Sequence, residues 1–320
     1  MHRNRLFYVR DDAANPTQRF LGSALFSLIF VAAENFALYN STLQARVAIR
    51  GSANQGVDMD IGRYERPRTI EEAYALIVEG HGLPIAGGGW SRLMVKSVPL
   101  AVDLSDLEMR YIRDSGDKVE IGAMATARDV ELSLVLAAEY GPLFRDATSH
   151  LVGVQLRNII TVGGSVAGKY GFSDINTVLL ALNAELYFHG GQRIDMGSFL
   201  AAPRDKPFLL EKITVRKGVK AAFQSLRVTA NDFAILNVCA AYREGDWRIA
   251  AGARPASARL SAEAAGVLGG EGRPSEAAAG RAGEAAAAEL GFGDDTRGSA
   301  TYRRSLCAVL VKRAILEASK

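Results

Sequence analysis

The chain reads as an α+β protein, with short strands and helices interleaved in two successive parts. Three features carry that expectation. Apolar runs close on each other across turn residues at 114–117 and at Gly190-Gly191, as hairpins do. Several segments show helical spacing of apolar residues behind a Ser or Thr able to cap a first turn. A break at 203–207, marked by Pro203 and Pro207, separates these elements from a further run of strands.

Composition sets outer bounds. The 320 residues suffice for one large or two modest cores, and 48% hydrophobic with 23% charged residues is ordinary for a soluble globular protein. A net charge of +3, with Lys and Arg scattered, argues against a nucleic-acid partner. Cys239 and Cys307 lie far apart and form no C-x-x-C, so neither a zinc site nor an iron–sulfur ligand set can be built on them. A reducing, cytoplasmic setting is expected, with Cys239 a small core residue.

Residues 1–58 differ in character from the rest of the chain. Arg3, Arg5, Arg10 and Arg19 precede an apolar run over 20–33, the layout of a secretory signal or short anchor. Glu34 interrupts that run before the ~20 residues a membrane-spanning helix needs. An amphipathic partner helix is another reading, and the preferred one is that translation starts at or near Met59, so no membrane partner is expected.

From Tyr64 the pattern is regular. Thr69 and Glu72 cap a helix that sets Ala73, Leu76 and Ile77 on one face, and Gly80 and Gly82 stop it. A strand at 83–86 runs into Gly87-Gly88-Gly89-Trp90-Ser91. Strands are expected at 100–104, 109–113 and 118–124, then a helix over 126–138. The β-branched run 159–162 reads as a strand ending at Gly163-Gly164-Ser165, and a helix opens behind Ser173 and Asp174. A hairpin at 186–196 comes next. Beyond the break, 209–216, 221–228, 233–243 and 247–253 read as antiparallel strands, the third also readable as a buried segment. The Ala- and Gly-rich stretch 256–290 supports only broken helical pieces. The last helix, from about 300 to 319, places Leu306, Val309, Leu310 and Ile315 on one side and Arg303, Arg304, Lys312 and Arg313 on a solvated face.

The glycines carry the chemistry. Paired glycines expose backbone N–H groups that no Cβ shields, and such nests suit the oxygens of a phosphate or pyrophosphate. Nucleotide binding is the function these residues point to, although either loop alone reads equally as a turn. Gly163, Gly168 and Lys169 have Walker A spacing, yet Tyr170 stands where a Ser or Thr should hold magnesium. No G-x-G-x-x-G is present, so the fingerprint of a doubly wound dinucleotide domain is missing. His81, His150 and His189 show no recognisable partner, and neither a catalytic acid–base pair nor a metal site stands out.

The segments AGGGWSRLM at 86–94 and LRNIITVGGS at 156–165, the latter followed nine residues on by Asp174, resemble the FAD-binding subunit of molybdenum hydroxylases. This is the medium subunit of the xanthine dehydrogenase and carbon monoxide dehydrogenase type. The resemblance runs from about Asp60 to the C-terminus through DFAILNVCAA at 232–241, ARPASARL at 253–260 and GSATYRRSLCAVLVKRAI at 298–315. It implies a two-subdomain FAD-binding fold of the PCMH/vanillyl-alcohol-oxidase type over 59–204. A smaller α+β C-terminal domain with an antiparallel sheet would occupy 205–320.

It further implies that two loops wrap the FAD pyrophosphate, the first formed by Ala86, Gly87, Gly88, Gly89 and Trp90, the second by Thr161, Val162, Gly163 and Gly164. Asp174 would bind toward the ribose and adenine, Ser165 and Ser173 would add hydrogen bonds, and Leu210 falls where an apolar residue lies close to the flavin or adenine. Relatives usually read A-G-G-T-D/S-L in the first loop, so this chain loses a hydroxyl and gains Trp90; Ser165 replaces the usual Asn. The implied function is electron transfer from [2Fe–2S] clusters on a small partner to FAD here, and on to an acceptor such as NAD, with the molybdenum cofactor on a large partner. Two alternatives stay open: a stand-alone FAD reductase of the UDP-N-acetylenolpyruvylglucosamine reductase type, and a scaffold subunit that has lost FAD through Trp90.

Overall fold

Three sheets organise residues 60–91, 97–204 and 206–320, which a computed structural model of the chain describes. The expectations for residues 1–58 lie outside them. The first sheet is parallel, in the order β1-β3-β2, from β1 (Asp60–Glu65), β2 (Leu83–Ile85) and β3 (Ser97–Asp103). Parallel neighbours need a crossover, and the helix Ile70–Val78 supplies one. Its cap is the expected one, with the Thr69 hydroxyl accepting from the Glu72 N–H at 3.1 Å. Ala73 and Ile77 bury against Leu100 and Val102.

The second sheet is antiparallel, in the order β4-β5-β8-β6-β7, from β4 (Ile112–Ser115), β5 (Lys118–Gly122), β6 (Glu185–Phe188), β7 (Arg193–Asp195) and β8 (Leu210–Arg216). Both expected hairpins form. The strand expected over 109–113 starts only at Ile112, because the Met109 carbonyl turns aside to accept from Met124 N–H at 2.9 Å. β8 comes after Pro203 and Pro207 yet takes the centre of this sheet, so a division after residue 204 leaves it across the break from the strands it bonds to.

One helical and one strand expectation need correction. The helix over 126–138 is two helices, Ala127–Leu132 and Leu134–Tyr140, parted at Ser133. Ser133 is extended and its hydroxyl accepts from Leu136 N–H at 3.2 Å, so it ends one helix and caps the next. The segment 159–162 is not a strand. The helix Val162–Gly168 begins there, with Thr161 as its cap, and the paired glycines occupy its first turn. The N–H groups of Val162 and Gly163 donate to the Ala125 and Ala123 carbonyls, both at 2.8 Å, so tertiary partners replace the ladder that the β-branched residues favoured.

The third sheet, in the order β12-β11-β10-β9, comprises β9 (Lys220–Arg227), β10 (Ala234–Arg243), β11 (Asp246–Gly252) and β12 (Arg259–Leu260). Both faces of β10 are covered. Leu236, Val238 and Ala240 meet the helices Glu276–Glu289 and Ala300–Ala318, while Cys239 and Ala241 join the core around the helix Asp174–Ala181. Its near-continuous apolar run is explained by that double cover. On the last helix Arg303, expected among the solvated residues, is instead fully buried, donating from Nε to the Ile235 carbonyl at 2.9 Å and pairing with Asp295 at 2.5 Å. Val309, expected on the apolar side, is 45% exposed.

Candidate functional site

β2 delivers the first glycine loop, residues 86–91, onto the stretch that leads into the helix Val162–Gly168, and a cleft opens between them. Contact between the two is close enough to select the residue type. A Cβ on Gly87 would overlap the Ile159 carbonyl oxygen, so only glycine allows this approach. Gly88 has φ +67° with open space around it, the left-handed conformation that a side chain disfavours. Among the described residues nothing accepts from the backbone N–H groups of Gly87, Gly88 and Gly89. All three glycines line the cleft, where a donor left without a partner among the described residues suits a ligand.

The second loop is built differently from its expectation. The N–H groups of Val162 and Gly163 are already bonded within the chain, and that of Gly164 donates to the Thr161 hydroxyl at 3.0 Å. The Thr161 hydroxyl keeps its own proton to donate. Gly163 is needed for packing, since a Cβ would press on the Ala123 backbone. The Walker A reading ends here, because the glycines belong to a helix. The Lys169 ammonium donates to the Ala202 carbonyl at 2.7 Å, over the Phe199 ring.

The cleft thus gathers Ala86, Gly87, Gly88, Gly89 and Trp90 with Thr161, Gly163, Gly164 and Leu210. Val162, Ser165, Ser173 and Asp174 do not line it. Ser165 is buried, its hydroxyl donating to the Thr161 carbonyl at 2.9 Å. Ser173 caps the helix Asp174–Ala181 through Asn176 N–H at 3.2 Å. Asp174, 1% exposed, pairs with Arg227 of β9 at 2.9 Å and accepts from Asn237 of β10 at 2.5 Å. Burial raises its carboxyl, and the Arg227 guanidinium opposes that rise. It fastens helix to sheet and does not face the cleft.

The remaining lining comes from places that local pattern does not mark. Ser91 restores a hydroxyl next to Trp90, one residue beyond the expected loop. Met124, Leu209 and Phe208 arrive from the end of β5 and the approach to β8, far away in sequence. Trp90 does not stand alone in the opening: its indole packs on Phe172 at 5.2 Å and Phe233 at 5.4 Å, with Tyr170 at 6.2 Å. His189, expected to lack a partner, pairs with Glu211 at 2.8 Å and lies on Tyr74 at 4.7 Å.

Among the described residues that line the cleft, none is acidic, basic or a histidine. An apolar groove with backbone donors and a few hydroxyls can hold a flat ring system and the anionic bridge of a dinucleotide, and the one titratable side chain among its described lining residues is the Tyr170 phenol, whose pKa burial raises. A glycine loop behind a parallel sheet, closing such a cleft against an antiparallel one, marks the class of dinucleotide-cofactor-binding proteins.

Comparison with known proteins makes this specific. Residues 57–216 match the family described as the FAD binding domain in molybdopterin dehydrogenase, and residues 221–318 the CO dehydrogenase flavoprotein C-terminal domain. The medium subunit of nicotine 6-hydroxylase from Paenarthrobacter nicotinovorans is 29% identical over 276 residues, covering 80% of this chain and 96% of that one. The carbon monoxide dehydrogenase medium chain from Hydrogenophaga pseudoflava is 26% identical over 275 residues, covering 79% and 95%. A solved carbon monoxide dehydrogenase from the same organism superposes with a TM-score of 0.73 at 26% identity, over 82% of this chain and 97% of that one. The chain belongs to the FAD-binding family of molybdopterin dehydrogenases and is an oxidoreductase flavoprotein. The match over 221–318 sets it apart from the stand-alone reductase reading.

Proposed function

We infer that this chain is the electron-transfer subunit of a molybdenum hydroxylase complex, taking electrons from [2Fe–2S] clusters on a small partner and passing them to an acceptor such as NAD. The organic substrate would meet the molybdenum cofactor on a large partner and never this chain. The observation that carries the reading is the cleft: N–H groups at Gly87 to Gly89 with no acceptor among the described residues, fit for a pyrophosphate, and apolar walls with no carboxylate, cation or histidine among the described lining residues. Bound FAD supplies the means to take electrons singly from a cluster and release them as a pair.

The chain's own residues bind and orient. Gly87, Gly88 and Gly89 offer backbone donors, Ser91 and Thr161 offer hydroxyl protons, and Leu210, Leu209 and Met124 exclude water from the ring. The scaffold alternative loses ground because Trp90 packs on Phe172 and Phe233 and still leaves a cleft beside the first glycine loop. The medium-subunit relatives support the heterotrimer, and two buried free cysteines fit a cytoplasmic complex. Among the described residues no helix is long and apolar enough to cross a membrane.

The test is co-expression with the neighbouring genes and purification through a tag on this subunit. Flavin and iron–sulfur absorbance with bound molybdenum is the expected outcome, and flavin reduction by the partners should precede reduction of NAD. A colourless chain that takes up no added FAD would end this reading.

A further inference from the structure

Residues 86–90 end β2 in three successive glycines, the residues with most backbone freedom to lose, and their N–H groups make no internal bonds among the described residues. A loop of that composition needs an outside anchor to present its donors in one arrangement. The Trp90 indole is the loop's large side chain, and its partners form a platform. Tyr170 and Phe172 stack on each other at 5.2 Å with planes 9° apart, and Phe233 lies 4.7 Å from Phe172. The Arg297 guanidinium covers Phe233 at 5.3 Å. Tyr170 and Phe172 come just after the helix Val162–Gly168, whereas Phe233 precedes β10 of the third sheet, so one side chain joins three segments distant in sequence.

We propose that Trp90 is a positioning residue, a latch that holds the first glycine loop on the Tyr170, Phe172 and Phe233 platform and couples FAD affinity to the seating of the C-terminal sheet. This rests on the FAD reading of the cleft. A loop ordered in advance loses little further freedom when its ligand arrives, so the latch acts on affinity without the indole having to touch the cofactor. Phe233, which does not line the cleft, should then matter to FAD binding as much as Trp90 does.

FAD titrations of the full chain, read by flavin absorbance and calorimetry, test this with Trp90→Ala, Trp90→Phe and Phe233→Ala. Trp90→Ala and Phe233→Ala should each raise the Kd about tenfold, and Trp90→Phe should stay near wild type because a ring still packs. A second readout needs no FAD. The chain has 2 tryptophans, so in a Trp247→Phe background emission comes from Trp90 alone. Adding Phe233→Ala should shift that emission to the red and open it to acrylamide. The latch is overturned if Trp90→Ala binds FAD as wild type does, if Trp90→Phe binds as poorly as Trp90→Ala, or if Phe233→Ala leaves the emission unchanged. Wild-type protein that fails to bind FAD while the emission responds would instead strike the FAD reading.

Discussion

Gly87 and Asp174 show how differently two residues of one expected site behave. Gly87 has no room for a Cβ beside the Ile159 carbonyl, so Gly87→Ala should push the two loops apart. About 1–3 kcal/mol of stability should be lost in a urea melt, together with a weaker FAD complex. Asp174 acts through packing. Its side chain is 0% exposed and that of Arg227 6%, so Asp174→Asn leaves a buried cation without its counter-charge. The expected cost is about 3–5 kcal/mol in the same melt, and equal losses for the two variants would contradict these roles. In sequence the two residues share one address, since each sits in a motif; burial separates them.

At the scale of elements, the second sheet is tied across its central strand. Lys118 of β5 reaches over β8 to Glu185 of β6 at 2.6 Å, and the Lys118 hydrogen bond holds the Glu185 carboxyl below its ordinary value of 4.5. A carboxylate with a lowered folded pKa stabilises fully above its unfolded value and loses that contribution as pH falls through the folded one. Glu185→Gln should therefore cost about 0.5–1 kcal/mol at neutral pH, a difference that shrinks as pH falls below 4.5 and is gone once pH has passed the folded carboxyl's lower pKa. Denaturant melts of both proteins across that range measure the convergence, and a gap that persists in acid would refute the assignment. Hairpin turns and helix caps such as Thr69 and Ser173 were legible from sequence because their bonds close within three or four residues. The helix at Val162 was not, because Ala123 and Ala125, which fix its start, lie some forty residues earlier.

At the scale of the whole molecule, one core spans both matched parts. Val178 and Leu179 of the helix Asp174–Ala181 share a cluster with Phe223, Cys239 and Ala250 of the third sheet. Residues 60–320 should therefore unfold in a single calorimetric transition, and a hundredfold excess of FAD over its Kd should raise that transition as one unit by about 2.7 kcal/mol. Two separable transitions, only one of them shifted by FAD, would show that the C-terminal sheet folds by itself. By itself the sequence determined the α+β class, the first glycine loop and the family, because composition, turn residues and motif order are local and survive without coordinates. Only the tertiary structure decided which donors stay free, that Asp174 is a fastener, that Arg303 is buried and that Trp90 meets Phe233. Each of those outcomes depends on desolvation and on contacts between segments tens of residues apart, which no local pattern encodes.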